Sequence, residues 1–328
     1  MAVGRDHRAV LPPACFAVVR LLAASAVVDA PDLLRVLVRW ERGPLSVVPL
    51  QGGWNSTVWL VRAVYGRQYV AKLADAEERT GFRSGLRVAR RAAERGFRSG
   101  PPVPLPDGSL DVSVPGGAVA LLEYVQGCRA DVDSVSDLRR MGGALARAHA
   151  CLAAEVECLD QSLIWPWPWA DDAVARIPMP VEVGDAVRRA LDDARRVTEV
   201  AGLVVQVVHG DPAFDAFILD EAGVEDDGMI DWTATMGAPA LHDLGTVAAV
   251  YRRHPGRLAA FLQGYLDVEP AIADQLRLLE TFTRLRWMCT ALYFADRIAR
   301  GLVRGGPPEA NRLGLTEAHA QLNSEAHG

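Results

Sequence analysis

Val204-Val205-Gln206-Val207-Val208-His209-Gly210-Asp211 is the stretch on which the reading of this chain turns. An apolar run closes on a polar tripeptide, Phe217-Ile218-Leu219-Asp220 follows, and Gly228-Met229-Ile230-Asp231-Trp232 ends a third run. Short apolar runs bounded by turn residues pack as buried strands, so the pattern predicts strand, loop, strand, turn, strand. Asp211 and Asp231 then stand at strand ends. Carboxylates placed there are poorly solvated and close together, which costs stability but suits holding a divalent cation and taking up a proton. The plain alternative is two acids capping core strands.

Upstream the chain offers partners for that pair. Residues 46–50 and 57–64 read as strands around Gln51-Gly52-Gly53-Trp54-Asn55-Ser56. The glycine pair is either a hairpin turn or a loop whose backbone N–H groups approach an anion without Cβ interference. The next run, Arg67-Gln68-Tyr69-Val70-Ala71-Lys72-Leu73, sets one lysine among apolar neighbours. Such a lysine is costly to bury without an anionic partner, which favours a phosphate ligand over a surface position. Residues 118–125 form a further strand, and the texture turns helical after Gln126-Gly127.

Taken together, His209-Gly210-Asp211, Ile230-Asp231-Trp232 about twenty residues on, and the Val70-Ala71-Lys72 strand resemble the aminoglycoside phosphotransferase and choline kinase superfamily. The resemblance covers residues 45–300. It implies an α+β, bilobal protein-kinase-like fold with a small antiparallel-sheet N-terminal lobe and a mainly helical C-terminal lobe. It further implies that Asp211 is the catalytic base and Asp231 a magnesium ligand. Lys72 would hold the α- and β-phosphates of ATP, and Gly52, Gly53, Asn55 and Ser56 would cover the triphosphate. The backbone near Glu123 and Val125 would bind adenine, and Asp243, in Pro239-Ala240-Leu241-His242-Asp243-Leu244, would anchor the catalytic loop structurally.

The chain departs from the family pattern in three places. Gly52-Gly53-Trp54-Asn55 is one residue shorter than Gly-Gly-x-x-Asn. The helix glutamate expected to pair with Lys72 falls near Arg87 and Val88, in a basic helix over residues 80–95 whose nearest acids are Glu77, Glu78 and Glu94. The magnesium-binding asparagine expected five residues after Asp211 is Ala216, while the adjacent Asp215 is either a substitute Mg2+ ligand or an exposed loop residue.

Elsewhere, Ile164-Trp165-Pro166-Trp167-Pro168-Trp169 excludes a regular helix. Its tryptophans plug the core, line an acceptor pocket, or dock a partner. Residues 1–40 read as two short helices broken at Asp29-Ala30-Pro31-Asp32 and packed on the first lobe. Ser136-Asp137 reads as the cap of a helix through His149, and His149 as a satisfied core histidine. Gly142 and Gly143 are expected to permit close helix packing. Helices are expected over 184–201, 256–266 and 272–300, and a frayed tail beyond Gly305.

Composition excludes several functions. A net charge of −6 argues against nucleic-acid binding, which needs a basic surface. Five cysteines without a Cys-x-x-Cys pair point to reduced thiols and a cytoplasmic protein. No apolar run reaches membrane-spanning length. The organisation expected is a nucleotide-binding lobe over 1–126, with a helical extension over 1–44, and a helical lobe over 127–328. The expected activity is ATP- and Mg2+-dependent phosphoryl transfer to a hydroxyl of a small-molecule acceptor. The alternatives are a catalytically retired nucleotide-binding protein and a kinase for peptide hydroxyls, docked through the Trp-Pro run.

Overall fold

Alternating burial along the chain builds the first half around one sheet. The computed structural model describes residues 30–43, 46–50, 56–221, 223, 226–303 and 307–324. Helix α1 (Ala30–Leu37) precedes strands β1 (Ser46–Pro49), β2 (Ser56–Arg62) and β3 (Gln68–Asp75). Helix α2 (Arg79–Glu94) then leads to β4 (Val112–Val114) and β5 (Gly117–Glu123). The strands form one antiparallel sheet in the order β1-β2-β3-β5-β4. Because side chains alternate across a strand, Tyr69, Ala71 and Leu73 of β3 join Leu33, Leu37 and Trp40 in one core. Lys72 and Ala74 point to the other face, where Ala74 packs with Phe82 and Leu86 of α2. The segment up to Trp40 therefore packs on the first lobe, as its helical spacing predicts; the helix expected before it lies outside the described residues.

The second half is helical around short strand pairs. Strand β6 (Cys128–Arg129) is followed by α3 (Val135–Leu152), α4 (Pro168–Arg176) and α5 (Val181–Val200). Then come β7 (Gln206–Val208), β8 (Phe217–Leu219), β9 (Gly228–Met229) and β10 (Met236–Ala238). Helices α6 (Leu241–Val250), α7 (Pro255–Leu266), α8 (Leu279–Ala299) and α9 (Pro308–Asn323) complete the chain. Strand β7 pairs with β10, and β8 lies between β6 and β9. This is the bilobal α+β architecture that the motifs imply.

Three local expectations change. The cap of α3 is Ser134, whose hydroxyl accepts the Asp137 N–H at 3.2 Å, rather than Ser136-Asp137. The helix expected over 272–300 is a 3-10 segment, Pro270–Leu278, before α8 begins. The tail is not frayed over its described part: α9 lies on α8, with Ala318 and Leu322 fully buried. Small, polar residues hid a helix that buries only a narrow apolar stripe, Ala318 and Leu322 with Leu315 packed beside them.

The tryptophan run belongs to the core. Trp167 is 0% exposed, donates its indole N–H to Gly237 O at 3.1 Å, and stands edge-on to Trp165 with centroids 4.6 Å apart. The premise for a peptide docking surface is thereby removed. Gly142 does permit close packing, since a Cβ there would lie 2.0 Å from Phe261 O of α7. Among the described residues, no helix is long and apolar enough to cross a membrane, and Cys128, Cys151, Cys158 and Cys289 are free.

Candidate active site

Strand β7 delivers His209-Gly210-Asp211 to a loop that the fold holds from three sides. Gly210 has φ +84°, and a Cβ there would sit 1.9 Å from Ala234 O, so no larger residue fits. Asp243 at the start of α6 accepts the backbone N–H of His209 at 2.7 Å and of Gly210 at 2.9 Å. It also meets His149 Nε2 at 3.0 Å, and His149 Nδ1 meets the Tyr265 hydroxyl at 2.8 Å. The tautomer that satisfies all of these has the proton on Nε2 and the tyrosine donating. Burial would raise the Asp243 carboxyl, but its bonds to His149 and His242 hold it far below the usual carboxylate range. Asp243 is thus a structural anchor and His149 a satisfied core histidine.

The loop is tied to the second acid through His209. Its Nε2 faces Ile230 O at 2.9 Å, and its ring lies 4.8 Å from that of Trp232. Trp232 is buried and donates its indole N–H to Ser99 O at 3.1 Å and Met229 O at 3.2 Å, so it anchors the turn that presents Asp231. Asp231 itself adopts φ 65°, ψ 58°, a left-handed conformation that turns its side chain toward β3.

There it meets the first lobe. Lys72 Nζ donates to Asp231 Oδ1 at 2.5 Å and to Thr233 Oγ1 at 2.7 Å. The lysine side chain is 7% exposed and that of Asp231 51%, so the contact is a buried cation closing on a solvent-reachable carboxylate. Burial opposes the charge on Asp231, but Lys72 outweighs it and brings the carboxyl below its ordinary range. No acid of α2 bonds Lys72 among the described residues. Glu94 is taken by Arg90 and Arg91 at 2.9 Å each, and Glu77 by Arg300 at 2.7 Å. Arg87 instead donates to Cys158 O, and Val88 is in the core. Glu78 lies near enough for Lys72 to act on its charge, yet burial and the carboxylates of Asp75 and Glu77 push it up to about 8.

Asp215 sits in a 3-10 turn, Phe214–Ala216, with Ala216 O accepting the Ile230 N–H at 2.8 Å. Burial raises its carboxyl, and the charge of Asp231 adds to the rise. Two carboxylates close enough for one charge to act on the other are a donor set that could hold Mg2+, since Mg2+ takes one or two protein carboxylates and completes its shell with phosphate and water. Among the described residues no cluster of three or more such ligands exists. Ser56 opens β2 opposite Ala74, and Val58 opposes Lys72, so Ser56 shares the Lys72 face. Glu123 ends β5, its N–H donated to Pro101 O at 2.9 Å, with Val125 just beyond. Gly52, Gly53 and Asn55 lie outside the described residues.

The motifs pointed to neither Thr233, the second partner of Lys72, nor Arg286, whose Nη2 donates to Asp211 Oδ1 at 3.0 Å from 75 residues away. A hydroxyl two residues after Asp231 is a faint signal for the first. For the second the sequence carries none.

A sequence model described as the phosphotransferase enzyme family matches residues 46–279, well over half of the chain. The chain belongs to that family. Its fold is shared with solved kinases of low sequence identity. A microcompartment-associated aminopropanol kinase superposes with a TM-score of 0.66 at 17% identity, covering 90% of this chain and 95% of that one. An amicoumacin kinase solved with AMP-PNP and Ca2+ gives 0.67 at 14% identity, covering 90% and 93%. A spectinomycin phosphotransferase solved with ADP and spectinomycin gives 0.60 at 14% identity, covering 91% and 95%. A search of curated protein sequences finds no match.

Proposed function

We propose that the protein transfers the γ-phosphoryl group of ATP to a hydroxyl of a small molecule. The observation that carries this reading is the contact of Lys72 with Asp231 across 159 residues. It brings the one lysine buried in the sheet and the acid after the catalytic loop to the same point of the cleft. Lys72 would hold the α- and β-phosphates, and Gly52, Gly53, Asn55 and Ser56 would cover the triphosphate. Val125 and the carbonyl side of Glu123 would take adenine, because the Glu123 N–H is already committed to Pro101. Asp231 and Asp215 would hold Mg2+, which when bound neutralises charge on the β- and γ-oxygens.

Asp211 would orient the acceptor hydroxyl and accept its proton; positioning rather than covalent chemistry supplies most of the rate. The lobes would meet at Gln126-Gly127, with residues 1–126 serving the nucleotide and 127–328 the acceptor. The solved kinases with an ATP analogue or ADP bound support the nucleotide assignment by analogy of fold. A cytoplasmic setting fits the free thiols.

The test is γ-labelled ATP with Mg2+ and a panel of diols, amino alcohols and cyclitols, with release of phosphate to water scored alongside. Asp211→Asn should keep nucleotide binding and lose transfer by roughly a hundredfold or more. Wild-type turnover by that variant would remove Asp211 from the mechanism. A second reading, a retired kinase that binds nucleotide without transferring phosphate, is favoured by Ala216, a buried methyl where the family pattern has an asparagine. Nucleotide binding without turnover against the whole panel would select it.

A further inference from the structure

Asp211 is held from two directions by one pair of helices. Its backbone neighbours His209 and Gly210 are fixed by Asp243 of α6. Its carboxylate is fixed by Arg286 of α8, and both side chains are nearly closed to solvent, at 6% for Arg286 and 8% for Asp211. The two helices cannot move independently. Gly245 of α6 packs so closely that a Cβ there would lie 2.5 Å from the backbone carbon of Phe282 on α8. Phe282, Leu285 and Met288, flanking Arg286 on that helix, are fully buried. The guanidinium therefore approaches Asp211 from a rigid base.

A terminal carboxyl torsion is soft, so an aspartate at the end of a loop samples a broad range of rotations. A guanidinium is a planar fork with fixed donor directions, and one fixed in space selects one of those rotations. A buried ion pair of this kind is weak support for stability, because desolvation offsets most of its attraction. Its geometry serves orientation better.

Resting on the reading of Asp211 as the base, we propose that Arg286 is a positioning residue for phosphoryl transfer. Its guanidinium sets the rotation of the Asp211 carboxylate toward the acceptor hydroxyl, and it acts on the reaction only through Asp211. The acceptor therefore meets a base whose direction is fixed before the acceptor arrives.

The experiment uses the full chain with Mg2+ and γ-labelled ATP, with water as acceptor and with the best member of the panel above. Arg286→Met should lower kcat roughly 10- to 100-fold and leave KM for ATP within about twofold. Arg286→Lys, which keeps the charge without the fork, should recover part of the loss. In the Asp211→Asn background, Arg286→Met should cost nothing further, because the group through which it acts is already gone. Should Arg286→Met alone fail to fold, Arg286→Lys and the double variant, which leaves no lone buried charge, still decide.

Multiplicative loss in the double variant, or a loss confined to KM for ATP, would overturn the proposal while leaving the phosphotransferase reading intact. Full activity of Arg286→Met would do the same. A wild type that binds nucleotide but transfers phosphate to nothing overturns the phosphotransferase reading, and this proposal with it.

Discussion

Glu78 shows how one residue within reach of the Lys72 charge reports the state of its neighbours. Burial, then the carboxylates of Asp75 and Glu77, raise it to about 8, and Lys72 and Arg300 offset only part of the rise. A carboxyl raised on folding favours the protonated form, so its contribution to stability is full below about pH 4.5 and is lost as pH climbs through about 8. Glu78→Gln mimics the protonated state. Its melting temperature should exceed that of the wild type at about pH 9, with the gap shrinking toward pH 5; a gap that does not change with pH would show that Glu78 is ionised throughout. Asp215 is the companion case. Burial and the charge of Asp231 work against its ionised form, a cost that a bound cation removes. Asp215→Ala should raise the Mg2+ concentration needed for half-maximal turnover by roughly tenfold or more, the scale on which altered support for a metal site is felt. A magnesium titration that overlays the wild type would leave Asp215 as a loop residue.

At the scale of elements, α2 positions the site by what it lacks. Gly81 and Gly85, one turn apart, let the helix lie against the backbone of Trp232 and Thr233. A Cβ at Gly81 would stand 2.9 Å from Thr233 O, and one at Gly85 2.3 Å from Trp232 O. Both contacts are with backbone, so a methyl cannot be absorbed by a rotamer change. Gly85→Ala should destabilise by about 1–3 kcal/mol and move the turn carrying Asp231 and Thr233 away from Lys72, raising KM for ATP. Gly256→Ala is the control, since nothing lies within 4 Å of a Cβ there. Equal effects from the two substitutions would deny α2 this role.

Across the whole molecule, α8 links the candidate site to the first lobe. Two turns into the helix Arg286 reaches Asp211, and just past its end Arg300 joins Glu77 of the first lobe to Asp296 of the second at 2.7 and 3.3 Å. Helix α9 covers its outer side. Gly314 lies against the Phe294 ring, Asn311 accepts from Arg297 at 2.9 Å, and Arg284 donates to Leu322 O at 2.9 Å. Deleting residues 307–328 uncovers Tyr293 and Phe294 of α8 and strips partners from Arg284 and Arg297, a loss of about 3 kcal/mol or more. The truncated chain should melt roughly 10 °C lower or fail to stay soluble, as differential scanning fluorimetry or circular dichroism would show. An unchanged melting temperature would make α9 an ornament.

The sequence by itself determined what depends on local order. Alternation placed β3 and put Lys72 on one of its faces, and apolar runs ending in Asp marked the strands that carry the candidate site. The Pro-Trp alternation excluded a helix at residues 164–167, but not at Pro168 and Trp169, where α4 begins because a proline is tolerated in the first turn. Each is a relation between residues a few positions apart, which backbone periodicity exposes. Only the tertiary structure decided what depends on distant segments meeting. The ammonium of Lys72 is satisfied by Asp231 and Thr233 rather than by an acid of the next helix, because Gly81 and Gly85 bring that turn within reach. Trp167 sits in the core because Gly237, 70 residues beyond it, takes its indole N–H. Arg286 finds Asp211 because α6 and α8 pack backbone against backbone at Gly245, and no spacing in the chain encodes that approach.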